Sequence, residues 1–168
     1  MEAAGVSFPH DQSEAPDPQG RYAVLSNEIE APGPYGPNGL FLKDLRTGKT
    51  EFLLGFERSA DVLWSPDGCY LAVTNWFGSN VCEIFVFKPG TKDKVYLRDA
   101  LEKAIGVFPW TSSIENLSEC FEALSWETPS RLKFVVGGHG LRKGKGVENF
   151  EEFYVYDTSG TIHQAPNK

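Results

Sequence analysis

Trp64-Ser65-Pro66-Asp67-Gly68-Cys69-Tyr70-Leu71-Ala72-Val73-Thr74 is the stretch that decides how this chain folds. Ser-Pro-Asp-Gly is a tight-turn signal: proline presets φ, glycine accepts a positive φ, and aspartate hydrogen-bonds the nearby backbone. The apolar run that follows favours β-strand, and so does Asp61-Val62-Leu63-Trp64 before it. The turn therefore joins two strands.

The unit recurs. Shifted back by 48, Asp17-Pro18-Gln19-Gly20-Arg21-Tyr22-Ala23-Val24 falls into register, with Pro18 on Pro66, Gly20 on Gly68 and Tyr22 on Tyr70. Shifted forward by 62, the run Trp126 to Val136 puts Trp126 on Trp64 and Val135 on Val73, without the Asp-Gly. Each unit then continues as an apolar strand (40–44, 84–88, 153–157), a second turn and a short last strand (51–54, 94–97, 161–163). Four short strands per repeat is the content of a propeller blade.

On Trp64-Ser65-Pro66-Asp67-Gly68, Tyr70-Leu71-Ala72-Val73 and Ile84-Phe85-Val86-Phe87, the chain resembles the WD40-like repeat of TolB-type β-propellers. The resemblance runs over roughly residues 13–163. It implies an all-β fold: a small β-propeller-like array of three four-stranded antiparallel blades with one short helical insertion. The expected organisation is one domain, 1–168, with repeat 1 at 13–56, repeat 2 at 60–97, the insertion at 97–119 and repeat 3 at 120–163. Propellers ordinarily have four to eight blades. Three repeats leave three arrangements: a small closed ring, an open wedge, or a ring completed by a second copy. Such blades carry many activities, so the resemblance by itself assigns none.

Leu97 to Ile105 is rich in helix formers, with Leu97, Leu101, Ala104 and Ile105 on one face, and Gly106 is placed to end the helix. Residues 107–119 are expected to continue as a loop.

Sixteen basic against 23 acidic residues give a net charge of −7. That balance argues against nucleic acid and anionic membrane as partners and suits solubility or a basic partner. No apolar run is long enough to span a bilayer. As it stands the chain reads as cytoplasmic; with a signal peptide removed ahead of Ala3-Ala4 it reads as periplasmic or secreted. Cys69, Cys82 and Cys120 form neither a disulfide framework nor a zinc pattern. Cys82 and Cys120 are expected as inert core thiols, and a pair between Cys69 and Cys82 is left open.

Catalytic patterns are missing. His10, His139 and His163 are scattered, and no Gly-x-Ser-x-Gly elbow supplies a nucleophile. Gly137 to Gly146 is rich in glycine and basic residues but lacks P-loop and GxGxxG spacing; it reads as a flexible hairpin loop. No calcium-loop pattern occurs among the acidic residues 11–30, and no cofactor or metal is expected. Asn116-Leu117-Ser118 is a glycosylation sequon by pattern alone.

Equivalent loops of successive blades emerge at one edge, so residues 28–39, 75–80 and 137–149 should share a rim. Tyr35, Trp76, Phe77, His139, Arg142 and Lys143 are its candidate binding residues, since aromatic-bearing loops on a rigid β scaffold suit recognition. The expected function is a non-enzymatic protein-binding module, an inhibitor or immunity-type protein being one version. The alternatives are a hydrolase using His139 and a structural subunit that completes a ring by dimerising. The expected partner is another protein or a second copy.

Overall fold

The computed structural model describes residues 5–9, 14–29, 36–111, 114–142 and 146–166, and only the backbone of 114–116, 142 and 146–148. The described residues are all-β with one short helix. Strands β2 (Glu14–Pro16), β3 (Tyr22–Glu28), β4 (Asn38–Asp44) and β5 (Thr50–Phe56) form a first antiparallel meander. β6 (Ser59–Trp64), β7 (Leu71–Trp76), β8 (Cys82–Phe87) and β9 (Lys94–Tyr96) form a second. After helix α1 (Leu97–Ile105), β10 (Ile114–Thr128), β11 (Arg131–Arg142), β12 (Gly146–Asp157) and β13 (Thr161–Gln164) form a third. A strand that the repeats do not foreshadow, β1 (Val6–Phe8), adds to the free edge of β6.

The repeat turns have the same backbone course. Ser65 N–H donates to the Tyr70 carbonyl at 2.9 Å, and Asp17 N–H donates to the Tyr22 carbonyl at 2.9 Å. Gly68 and Gly20 both take positive φ, at 65° and 66°. The side chains that fix the turns differ. In the second meander the Ser65 hydroxyl donates to Asp67 and accepts from Tyr70 N–H. In the first, the buried Asp17 carboxylate accepts from Arg21 N–H and Tyr22 N–H.

Strand alternation sets the packing. A strand sends successive side chains to opposite faces. The second meander directs Ala60, Val62, Trp64, Leu71, Val73 and Phe87 onto the first, against Val24, Leu40, Leu54 and Phe56. It directs Leu63, Ala72, Ile84 and Val86 the other way, into a core with Phe121, Leu132, Phe134, Val136 and Tyr154 of the third. β7 is consequently buried from Leu71 to Asn75, as expected of a strand covered on both faces. Among the described residues neither core joins the first meander to the third, and the sheets are not closed.

Two tryptophans that the repeat aligns make the same bond. Trp64 Nε1 donates to the Ala15 carbonyl at 3.1 Å, and Trp126 Nε1 donates to the Leu63 carbonyl at 3.0 Å. In each case the end of an opening strand is tied to the opening strand of the meander before it. Trp126 also stacks on Tyr70, at 6.1 Å between centroids.

Helix α1 covers one end of the second core with Leu97 and Leu101, both fully buried, each worth about 1.5–3 kcal/mol. Gly106 ends it at φ 80°, its N–H bonding the Glu102 carbonyl at 2.8 Å.

Three expectations need correction. Residues 114–119 are strand rather than loop, because β10 pairs along the β11–β12 hairpin as far as Ile114↔Arg142. Gly137 to Arg142 is strand rather than a flexible loop, paired residue by residue from Gly137↔Glu151 to Arg142↔Gly146. Glycine serves packing there: a Cβ on Gly138 would lie 2.6 Å from the Ser118 carbonyl oxygen and 2.7 Å from the Phe150 ring. Lastly, Cys82 and Cys120 are not thiols but a disulfide, and Cys69 is the free cysteine. The pair forms because β8 and β10 run parallel and meet at one register position, Cys82↔Cys120, with Cα atoms 4.4 Å apart. That contact makes the second and third meanders one continuous sheet.

Candidate functional site

The register of the third meander builds a polar groove. Residues directly opposite in a ladder share a face, as do residues two apart on one strand. Ser118 faces His139, and His139 faces Asn149. One step along, Cys120 faces Gly137, and Gly137 faces Glu151. Glu122 follows on β10. Against this face stands the end of β7 with the turn after it, contributing Trp76, Ser79 and Asn80. The groove is open to solvent, has a volume of about 660 Å³ and lies at the junction of the second and third meanders, over the disulfide. Gly137 keeps its floor open, since a Cβ there would meet nothing nearer than 3.8 Å.

The groove is braced by hydrogen bonds. Trp76 Nε1 donates to Asp61 Oδ2 at 2.6 Å, which fixes the indole against β6. The Ser118 hydroxyl donates to the Asn80 carbonyl at 3.1 Å, and Arg58 donates to the Ser79 hydroxyl at 2.8 Å. Ser118 sits opposite His139, yet its hydroxyl bonds the Asn80 backbone, and no hydrogen bond to His139 accompanies it. A serine nucleophile needs its base within reach, and this pair does not show that contact.

The electrostatics are acidic. Burial, and then the neighbouring carboxylates of Asp61 and Glu151, push the Glu122 carboxyl above its ordinary range. Among the described residues neither Glu122 nor Glu151 is in an ion pair, and no lysine or arginine lines the groove. Among the described residues no three His, Cys, Asp or Glu side chains converge as a metal site requires, and no helix is long and apolar enough to cross a membrane.

Of the residues singled out in the sequence, Trp76 and His139 meet in this groove. Phe77 does not line it; its N–H closes the adjoining turn on the Val81 carbonyl at 3.0 Å. Arg142 ends β11 opposite Gly146, with only its backbone described. Tyr35 and Lys143 lie outside the described residues, as does His10. The carboxylates of Asp61, Glu122 and Glu151 escaped sequence reasoning. Reading 137–149 as a loop hid them, because only the paired strands put Glu122, His139 and Glu151 on one face.

No family model matches the chain, and no curated protein matches it. Among solved structures 11 chains match. One is the Pyrococcus horikoshii acylaminoacyl peptidase in its orthorhombic crystal form, similar at 12% identity with a TM-score of 0.42. The match covers 94% of this chain and 32% of that one, so this chain spans about a third of that protein's length.

Proposed function

We propose that the chain is a non-enzymatic protein-binding module, an open array of three propeller-like blades that presents the Trp76–His139 groove to its partner. The observation that carries this reading is the meeting of two residues from different repeats in one groove, both on strand-paired backbone. A rigid aromatic at a concave junction is the usual anchor of a protein contact. The Ser118 hydroxyl, committed to the Asn80 carbonyl, favours binding over hydrolysis.

The test is site-specific photo-crosslinking. A photoreactive residue at Ser79, on the groove wall, is compared with one at Lys103, on the exposed side of α1. The expected result is a discrete protein adduct at position 79, absent at 103 and lost when Trp76→Ala is added. Equal labelling at both positions, or none at either, overturns the reading.

A further inference from the structure

We infer that the groove takes an arginine side chain of the partner, its guanidinium seated on the Trp76 indole and forked by the carboxylates of Glu122 and Glu151. This deepens the binding-module reading and rests on it for the identity of the ligand as protein.

Four observations converge. The groove is concave and has an aromatic wall whose ring is held by a hydrogen bond from its N–H to Asp61. Two carboxylates enter it from different strands, β10 and β12, and neither has a cation among the described residues. Asp61, at the indole's N–H edge, adds a third negative charge close enough to disfavour ionisation of Glu122. The floor at Gly137 has no side chain, which leaves depth for a long one. A cation placed there relieves the repulsion among the carboxylates and meets the negative face of the indole. A planar guanidinium does both at once, by stacking and by bidentate hydrogen bonding; an ammonium is a point charge that cannot fork. The net charge of −7 brings a basic segment to the surface before it docks.

Ladder pairing holds Glu151 and His139 in place, so the groove exists before the ligand arrives. The energy of binding is therefore not spent on ordering a loop.

The experiment uses the whole chain, labelled with nitrogen-15, and follows its four tryptophan indole N–H signals while capped Gly-Arg-Gly peptide is added. The Trp76 signal is assigned with Trp76→Phe. Saturable movement of that signal is expected, with Trp64 and Trp126, whose indoles are bonded between meanders, stationary. The Glu122→Gln/Glu151→Gln double variant should weaken binding at least about tenfold, and capped Gly-Lys-Gly should bind more weakly than the arginine peptide. No movement of Trp76, an equal response in the double variant, or an equal response to the lysine peptide or to Gly-Glu-Gly overturns the inference. The two proposals fail separately. Crosslinked partner segments without arginine, together with a silent arginine peptide, remove the arginine site and leave the binding module. An arginine peptide that binds, with no adduct at Ser79, leaves a cation site and removes the protein partner.

Discussion

Replacing both Cys82 and Cys120 with alanine tests how the two halves of the continuous sheet are held. The disulfide closes a loop with a sequence separation of 38. For that length, the loss of unfolded-chain entropy amounts to about 13 cal/mol/K, or about 4 kcal/mol at room temperature. That is a large share of the roughly 5–15 kcal/mol by which domains are stable. With a urea dependence near 2 kcal/mol/M, suited to a chain of this size, the midpoint should fall by about 2 M, and the slope should rise as the uncrosslinked unfolded chain exposes more surface. Intrinsic fluorescence and far-ultraviolet dichroism should report the same midpoint. Thiol counting is the control: the oxidised, denatured chain should expose one reactive thiol, Cys69, and the reduced chain three. A midpoint that moves by less than about 0.5 M would refute the reasoning that loop closure supplies this stability. Three thiols before reduction would refute the pairing itself.

Glu122→Gln should raise the melting temperature at pH 7–8 and leave it unchanged near pH 4. The folded carboxyl titrates above its ordinary 4.5. Its ionisation therefore costs more in the folded chain than in the unfolded one, and stability falls as pH rises through that window; a variant that gains nothing at neutral pH sinks this account. Gly138→Ala should destabilise by about 1–3 kcal/mol through overpacking, because the Cβ meets the Ser118 backbone. Gly137→Ala, one residue away with open space, should be close to neutral, and chemical denaturation of the pair reads the contrast. Trp126→Phe keeps an aromatic ring but removes the donor to the Leu63 carbonyl. It should cost about 1–2 kcal/mol, and a loss below the error of a urea melt would mean that the indole bond contributes nothing.

Where local chemistry dictates structure, the sequence is readable. Ser65 to Gly68 and Asp17 to Gly20 carry their turns in short-range bonds, and Gly106 stops α1 at the expected residue. The apolar runs of β7 and β8 are likewise readable as strands. What stayed hidden depends on pairing between distant segments. Nothing near Cys82 or Cys120 announces the other; only the parallel meeting of β8 and β10 brings them together. The glycines of 137–140 look like a loop because local propensity favours one. The close approach of the Ser118 backbone and the Phe150 ring overrides that propensity at Gly138. The groove suffered the same way. Trp76 and His139 were visible as rim residues, whereas Glu122 and Glu151 became a pair only through the ladder register.

The indole bonds between meanders give the array a direction. Each coupling has a donor on the later repeat and an acceptor on the earlier one, as a plug fits a socket. By the same spacing, Ser125 holds in the third repeat the position of Ala15 and Leu63, and Pro16 holds in the first the position of Trp64 and Trp126. A head-to-tail ring of copies would bring Pro16 to the Ser125 socket, and proline offers neither a side-chain nor a backbone donor. The seam between copies would lack the bond that both internal junctions have. The coupling that builds this stack is thus a one-way series inside the chain.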